Sequence, residues 1–342
     1  MTSMPKHDSL VITVVMAAYN AEAYIARAIN SVQAQTFPDW ELICIDDGST
    51  DSTQSIIQTF AASDERIKLI AQANSGPAEA RRKGYIAGVG EYFIMLDSDD
   101  WFGPEALENL LSEAKSNEAD GVICRAMVST TGIENWVSFH EQRGTMQGRR
   151  LSGQEAFALT FPWKIHGIGL WRKEVIKTVG VDPSNAFNRF NADEYLTRRL
   201  FLQCNRIVIG SGEYFIYPNR ESITQKKSWR QFLSLETDRR LTDLALEVAS
   251  DTQTVRAALN CQRQNMIRHV ALFARYGGGG RSNVALSEIG SGLVHYLKIG
   301  SQKESRFSAF SILPLIIWHA ARSFLGRFTF LRNLYYKIRP QS

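Results

Sequence analysis

Two aspartates one residue apart, Asp97 and Asp99, close an apolar run, Tyr92-Phe93-Ile94-Met95-Leu96. Carboxylates on alternate residues after a strand can face the same space. Hard oxygen donors of this kind suit Mg²⁺ or Mn²⁺, and such an ion in turn holds a diphosphate. The tripeptide alone is best explained as a solvated acidic turn, because short acidic patterns are frequent by chance. Its place after a hydrophobic run, and a second acidic cluster at Asp46-Asp47, weigh toward a ligand site. A carboxylate at Asp46 or Asp47 can accept the N3–H of a uracil or the amino group of another base. It can equally cap the next helix, as Asp51 or Ser49 could. One of the two is expected to meet a ligand and the other to be structural. A third cluster, Asn74-Ser75-Gly76-Pro77 followed by Arg81, sets a helix N-terminus beside a cation, and both favour phosphate. Arg82 and Lys83 read as a solvated helix face.

These clusters need elements that bring them together. Residues 10–16 form an almost continuous Val- and Ile-rich run, which predicts a buried parallel strand. Asn20 is expected to cap the following helix, whose apolar face is Tyr24, Ile25, Ala28, Ile29 and Val32. The pattern then alternates: strands over 41–45, 67–71 and 92–96, helices over 52–60, 77–87 and 105–116, and a fifth strand over 122–124. Strand–helix alternation implies right-handed βαβ units, a mostly parallel sheet and ligands beyond the carboxyl ends of its strands. The acidic clusters and Tyr19-Asn20 all fall at such ends. Beyond them, residues 128–151 read as loops or a short hairpin. Helices are expected over 154–159 and 191–202, strands over 206–209 and 213–217, and mostly helix after 228. Gly277 to Gly280 marks a joint.

Bulk properties narrow the class. Of 342 residues, 44% are hydrophobic and 22% charged, enough for a full core. A net charge of only +4 argues against nucleic acid as a partner. The four cysteines form no CxxC pair, so neither a zinc site nor a disulfide framework is indicated, and thiols in a reducing compartment are expected. The polar start and the lack of a small-residue cleavage site lead to the expectation of no signal peptide.

At this point the motifs match a family. Val11 to Asn20, Asp46-Asp47-Gly48-Ser49-Thr50-Asp51, Asn74 to Arg81 and Leu96-Asp97-Ser98-Asp99-Asp100 occur in the order found in family 2 glycosyltransferases, and the chain resembles them over roughly its first 110 residues. A weaker match runs to about residue 225. The segment Tyr217-Pro218-Asn219-Arg220-Glu221-Ser222-Ile223-Thr224 is similar to the bacterial capsule and lipopolysaccharide branch. The resemblance implies an α/β GT-A fold, a catalytic domain over 10–227 and a helical C-terminal region over 228–342. It also implies an inverting reaction, a nucleotide-diphosphate sugar donor (often a UDP-sugar) and Mn²⁺ or Mg²⁺. By position, Ala17, Tyr19, Asp46 and Arg81 would frame the base. Asp97 would bind the donor ribose or sugar, Ser98 would offer a hydroxyl or backbone contact, and Asp99 would be the metal ligand. The family carries an acidic pair on a later helix. Here Ala192 takes its first position, which makes Asp193 the base, or Glu194 if the register slips by one. For either residue alone, a surface acidic position on a helix is an equally good account. His166 is left outside the catalytic set.

The tail has its own signature. Residues 310–318 are apolar but carry Pro314 and fall short of the roughly 20 residues a bilayer needs. From Ser305 onward there are six Lys or Arg and no acid, mixed with Phe, Leu and Tyr. A helix lying on an anionic membrane fits this, as does a helix packed on the catalytic domain, and the absence of acids tips the balance to the membrane. The expected setting is cytoplasmic, with peripheral attachment at the inner membrane and a glycan or lipid-linked acceptor. Two rivals remain: a sugar nucleotidyltransferase, which would want a glycine-rich basic loop after the first strand, and a GT-A domain that binds carbohydrate or nucleotide without catalysis.

Overall fold

The computed structural model describes residues 11–129, 135–145, 147–161, 163–186, 191–218, 229–249, 251–276, 285, 287–293 and 295. It divides into two compact units, residues 1–188 with 192–220, and 189–191 with 221–342.

The first unit is a mixed sheet with helices. Its opening half is β1 (Ile12–Ala18), β2 (Trp40–Asp46), β3 (Ile67–Ala71) and β4 (Tyr92–Met95), with α1 (Ile25–Gln33), α2 (Thr53–Ser63) and α3 (Pro77–Ala87) between them. β1 pairs parallel with both β2 and β4, and β2 parallel with β3. β1 and β2 are shielded along nearly their whole length, as expected for strands covered on both faces. Gly84 lets α3 settle onto β1: a Cβ there would come within 2.3 Å of the Val15 side chain.

The second half departs from simple alternation. After β5 (Trp101–Phe102) and α4 (Ala106–Ser116) come β6 (Gly121–Val128), β7 (Val137–Ser138), β8 (Arg150–Leu151), α5 (Gly153–Leu159) and β9 (Gly169–Arg172). A short turn of helix, α6 (Lys173–Val175), leads into a π-helical stretch at Ile176–Gly180, then α7 (Ala192–Leu202) and β10 (Ile207–Phe215). The strand order is β3-β2-β1-β4-β9-β6-β10-β5, with β7 on β6 and β8 on β10. The fifth strand expected from sequence is therefore β6, and β9 runs antiparallel between it and β4.

Two local expectations are corrected. The two strands expected at 206–209 and 213–217 are one strand, β10, parallel to β6 with a register break between Ile209 and Glu213. The break falls on Gly210-Ser211-Gly212, where Ser211 N–H is turned to the Glu113 carboxylate at 3.1 Å instead of to the ladder. Asn20 does not cap α1, which starts at Ile25. It adopts φ 49° and joins the loop after β2 instead: its Oδ1 accepts from Thr50 N–H at 2.8 Å, and its own N–H donates to Ser49 Oγ at 3.0 Å.

In the second unit α8 (Ser234–Val248) and α9 (Thr252–Tyr276) pack around Leu235 and Met266. Gly277 to Gly280 and the tail from Ser305 lie outside the described residues. No helix among the described residues is long and apolar enough to cross a membrane. Cys44, Cys124 and Cys204 are buried thiols and Cys261 is half-buried.

Candidate active site

Parallel register carries the motifs to one edge. Ala17 lies opposite Ile45 and Ala18 opposite Asp46. The ladder then continues into the loops, where Asp47 N–H donates to Ala18 O, Gln72 N–H to Asp46 O and Leu96 N–H to Val15 O. Ala17 is half-buried against Ile43, Ile45 and Ala80, while Tyr19 just beyond is 50% exposed.

The two acidic residues after β2 divide their work. Asp47 Oδ1 accepts from Gln72 Nε2 at 2.6 Å and Ser75 N–H at 2.8 Å, and its Oδ2 accepts from Gly76 N–H at 2.8 Å. It fastens the turn at the head of α3, where Gly76 takes φ 89° and Pro77 opens the helix. Asp47 is thus committed to the fold. Asp46 is equally buried, and its carboxylate accepts from Ser49 N–H at 3.3 Å through Oδ1.

Arg81 is the hub. It projects from the second turn of α3, and its side chain is 14% exposed. Nη2 donates to Asp97 Oδ1 at 2.8 Å. Burial opposes the charge on this guanidinium, but Asp97 and then Asp193 raise its pKa above the usual value. Arg81 and Asp193 line one recess with Ala78, Gly180, Asn185, Ala186, Ala192 and Leu196. Arg81 Nε is buried with no hydrogen-bond partner among the described residues. Asp193, in the first turn of α7, is exposed. Its neighbour Glu194 is engaged elsewhere: it accepts from Arg198 Nη1 at 3.3 Å, and Arg198 Nε is itself bonded to Thr160 Oγ1. Arg82 is not the freely solvated cation expected from sequence. Its guanidinium chelates Glu79 at 2.7 Å and reaches Val181 O.

Asp97, Ser98, Asp99 and Asp100 form a tight turn, closed by Asp100 N–H donating to Asp97 O at 3.1 Å. Asp97, Ser98 and Asp99 are half-buried and Asp100 is buried. β10 supplies the support. Tyr214 Oη accepts from Asp97 N–H at 3.0 Å and donates to Asp100 Oδ2 at 2.8 Å, and Tyr217 N–H donates to Asp100 Oδ1 at 2.8 Å. Burial, with Asp97 and Asp99 alongside, pushes the Asp100 carboxyl well above the usual carboxylate range. On the far side Arg27 Nη2 donates to Asp99 O at 2.6 Å. Sequence reasoning gave no role to Tyr214 or Arg27, and named Tyr217 only as the start of a family-like segment. The aromatic clustering of Trp101, Phe215 and Tyr217 was its one available signal.

The turn suits a hard divalent cation in donor type, since three carboxylates crowd closely enough for two of them to hold up the pKa of the third. Among the described residues no three His, Cys, Asp or Glu side chains form a complete cation cage. An ion here would take loop carboxylate and complete its shell with ligand and water oxygens, a common arrangement for Mg²⁺-type ions.

His140 and His166 lie apart from these groups, stacked on each other at 4.3 Å and both buried. Burial drives the His140 pKa down to about 4 and that of His166 well below its ordinary value.

A mixed sheet with a parallel first half and an acidic turn after β4 is the architecture of a GT-A glycosyltransferase fold. The family model for glycosyl transferase family 2 matches residues 13–196, more than half of the chain, and the chain belongs to that family. Among curated relatives, EpsH of Bacillus subtilis, named a glycosyltransferase, is 39% identical over 117 residues, 34% of each chain. GlyG of Streptococcus pneumoniae, a glycosyltransferase, is 25% identical over 260 residues, covering 70% of this chain and 82% of its own. The chain thus spans only about a third of the first relatives it matches. In fold it is similar to S. aureus TarS residues 1–349 in complex with UDP-GlcNAc, with TM-score 0.64, 18% identity, and coverage of 92% of this chain and 88% of that one. It is also similar to a Pyrobaculum calidifontis mannosyltransferase in complex with GDP-Man and Mn²⁺, with TM-score 0.54 and 14% identity over 93% and 88% of the two chains.

Proposed function

We propose that the chain transfers a sugar from a nucleoside diphosphate sugar, first of all a UDP-sugar, to a hydroxyl of a glycan or lipid-linked acceptor, with inversion at the anomeric carbon, in the synthesis of a bacterial surface polysaccharide. The observation that carries this reading is the meeting of Arg81 with Asp97 and Asp193 at one edge of the sheet.

Asp46, freed by Asp47 from structural duty, accepts the N3–H of the base, with Ala17 and Tyr19 framing the ring. Arg81 holds Asp97 in place, and Asp97 orients the ribose or the donor sugar, with Ser98 beside it. Asp99 would hold a Mg²⁺ or Mn²⁺ ion, which would supply Lewis-acid neutralisation of the leaving group. Asp193 stands at the acceptor side. An acceptor hydroxyl is a weak nucleophile, so a carboxylate within hydrogen-bond reach removes its proton as it attacks. Holding the two substrates in line supplies much of the remaining rate, up to about 7–11 kcal/mol. Residues 10–227 carry this chemistry, and the basic, aromatic tail after Ser305 lies on the anionic cytoplasmic face of the membrane, near a lipid-linked acceptor. TarS with UDP-GlcNAc supports a UDP-sugar, and the mannosyltransferase with Mn²⁺ supports a divalent ion.

The test is nucleoside diphosphate release from a panel of sugar nucleotides, with Mn²⁺ and after chelation. Metal-dependent release with one donor, lost in Asp99→Ala, is expected. A wild-type chain that binds sugar nucleotide but never releases the diphosphate with any acceptor fraction would be a binding protein instead.

A further inference from the structure

Arg27 belongs to none of the four sequence motifs, yet it is built into the acidic turn. It rises from α1 between two aromatic rings, its guanidinium carbon 4.2 Å from the Trp101 ring centroid and 4.3 Å from that of Tyr217. Trp101 is itself fixed. Its plane lies parallel to Phe215, 1° apart at 5.5 Å, and Trp136 meets both rings edge-on. A cation between ring faces is attracted by both quadrupoles, and its planar fork loses little freedom on making one more bond. That bond goes from Nη2 to the main-chain carbonyl of Asp99.

The choice of acceptor matters. By taking the carbonyl, Arg27 fixes the Asp99–Asp100 peptide through the main chain and not through the Asp99 carboxylate. Tyr214 and Tyr217 hold the same turn from the other side through Asp97 N–H and the Asp100 carboxylate. Three neighbouring carboxylates repel one another, so a turn carrying them keeps its shape only where it is tied.

We infer that Arg27 is a positioning residue for Asp99, setting the turn so that the Asp99 carboxylate can take a divalent cation shared with a diphosphate. This rests on the function proposed above. Residues that orient a metal ligand commonly alter metal affinity about 10–100-fold when replaced.

The experiment measures Mn²⁺ binding directly, by the paramagnetic signal of free Mn²⁺, in the presence of UDP as probe. UDP binding without metal is measured alongside by calorimetry. Arg27→Met, which keeps an apolar stem between the rings, is expected to weaken Mn²⁺ binding about 10–100-fold and to leave metal-free UDP binding unchanged. Arg27→Lys should recover part of the loss. If Arg27→Met does not fold, Tyr217→Leu removes one wall around the cation and should weaken Mn²⁺ about tenfold. Wild-type Mn²⁺ affinity in a folded Arg27→Met or Tyr217→Leu chain overturns the inference and leaves the proposed function standing. A wild-type chain without any Mn²⁺-dependent UDP binding overturns both.

Discussion

Arg81 and Asp193 line the same recess, one on α3 and the other in the first turn of α7. The charge of Arg81 is thereby shared between Asp97, bonded at 2.8 Å, and Asp193, near enough to raise its pKa further. A cation so placed attracts both acids and links α3 to the acidic turn and to the head of α7.

Arg81→Lys is therefore not a mild change. An ammonium keeps the charge but loses the planar fork that meets Asp97 while facing the recess. Transfer efficiency, kcat/KM for the donor, is expected to fall about a hundredfold, the order seen when one preorganised donor is removed from a site. Initial-rate kinetics on the folded variant checks this; an unchanged kcat/KM would detach Arg81 from the reaction.

The two acids of α7 should separate cleanly. Asp193→Asn is expected to bind the donor like the wild type and to lose transfer by about 10²–10⁴-fold, the usual worth of a general base. Glu194→Gln removes the carboxylate charge beside Arg198, whose side chain is only 4% exposed. It should lower stability by about 1–3 kcal/mol while leaving the rate per folded molecule intact. Parallel donor-binding, turnover and urea-unfolding curves distinguish them. Full transfer by Asp193→Asn together with loss in Glu194→Gln would hand the base role to Glu194.

What was legible in the sequence follows from what is local. α3 was predicted as 77–87 and is found at Pro77–Ala87, because Gly76 and Pro77 fix its start through their own backbone preferences. β1 and β2 announced themselves as continuous apolar runs because both faces are covered. β9 was missed: its four residues carry too little pattern, and they form a strand only because β4 and β6 flank them. The acidic clusters were readable as strand-end features, and the parallel register places them at one edge. That one of Asp46 and Asp47 would be structural was expected, but the residues alone did not say which, since that depends on Ser75 and Gly76 folding back onto Asp47. Arg27 and Tyr214 were invisible for a similar reason. Tyr214 reaches the acidic turn from β10 and Arg27 reaches it from α1, long-range contacts that no sequence period encodes.

Tyr214→Phe tests that hidden support. The phenol is buried and serves at once as acceptor for Asp97 N–H and donor to Asp100. Removing the oxygen leaves a main-chain N–H and a buried carboxyl each short of a partner, at a cost of about 1–3 kcal/mol. The expected result is a lower unfolding midpoint together with weaker donor binding, because the turn loses a tie as well as a bond. Reduced stability with donor affinity unchanged would confine Tyr214 to the core.

The stacked pair His140 and His166 gives the chain a predictable acid limb. Both imidazoles are held neutral, His140 by burial with the Arg143 cation nearby, and His166 by burial and then by His140 and Arg143. In the unfolded chain each binds a proton near its ordinary value of about 6.5. As pH falls below that, the unfolded state takes up protons that native His140 refuses until about pH 4, so stability must fall through this window. At about 1.4 kcal/mol per pH unit, His140 alone accounts for roughly 2 kcal/mol between pH 7 and pH 5. His140→Phe keeps a ring in the stack and removes the titration. Urea unfolding at the two pH values should show the variant losing about 2 kcal/mol less than the wild type. Equal losses in the two chains would mean that His140 is already free to protonate in the native state, and that the stack does not exclude the charge.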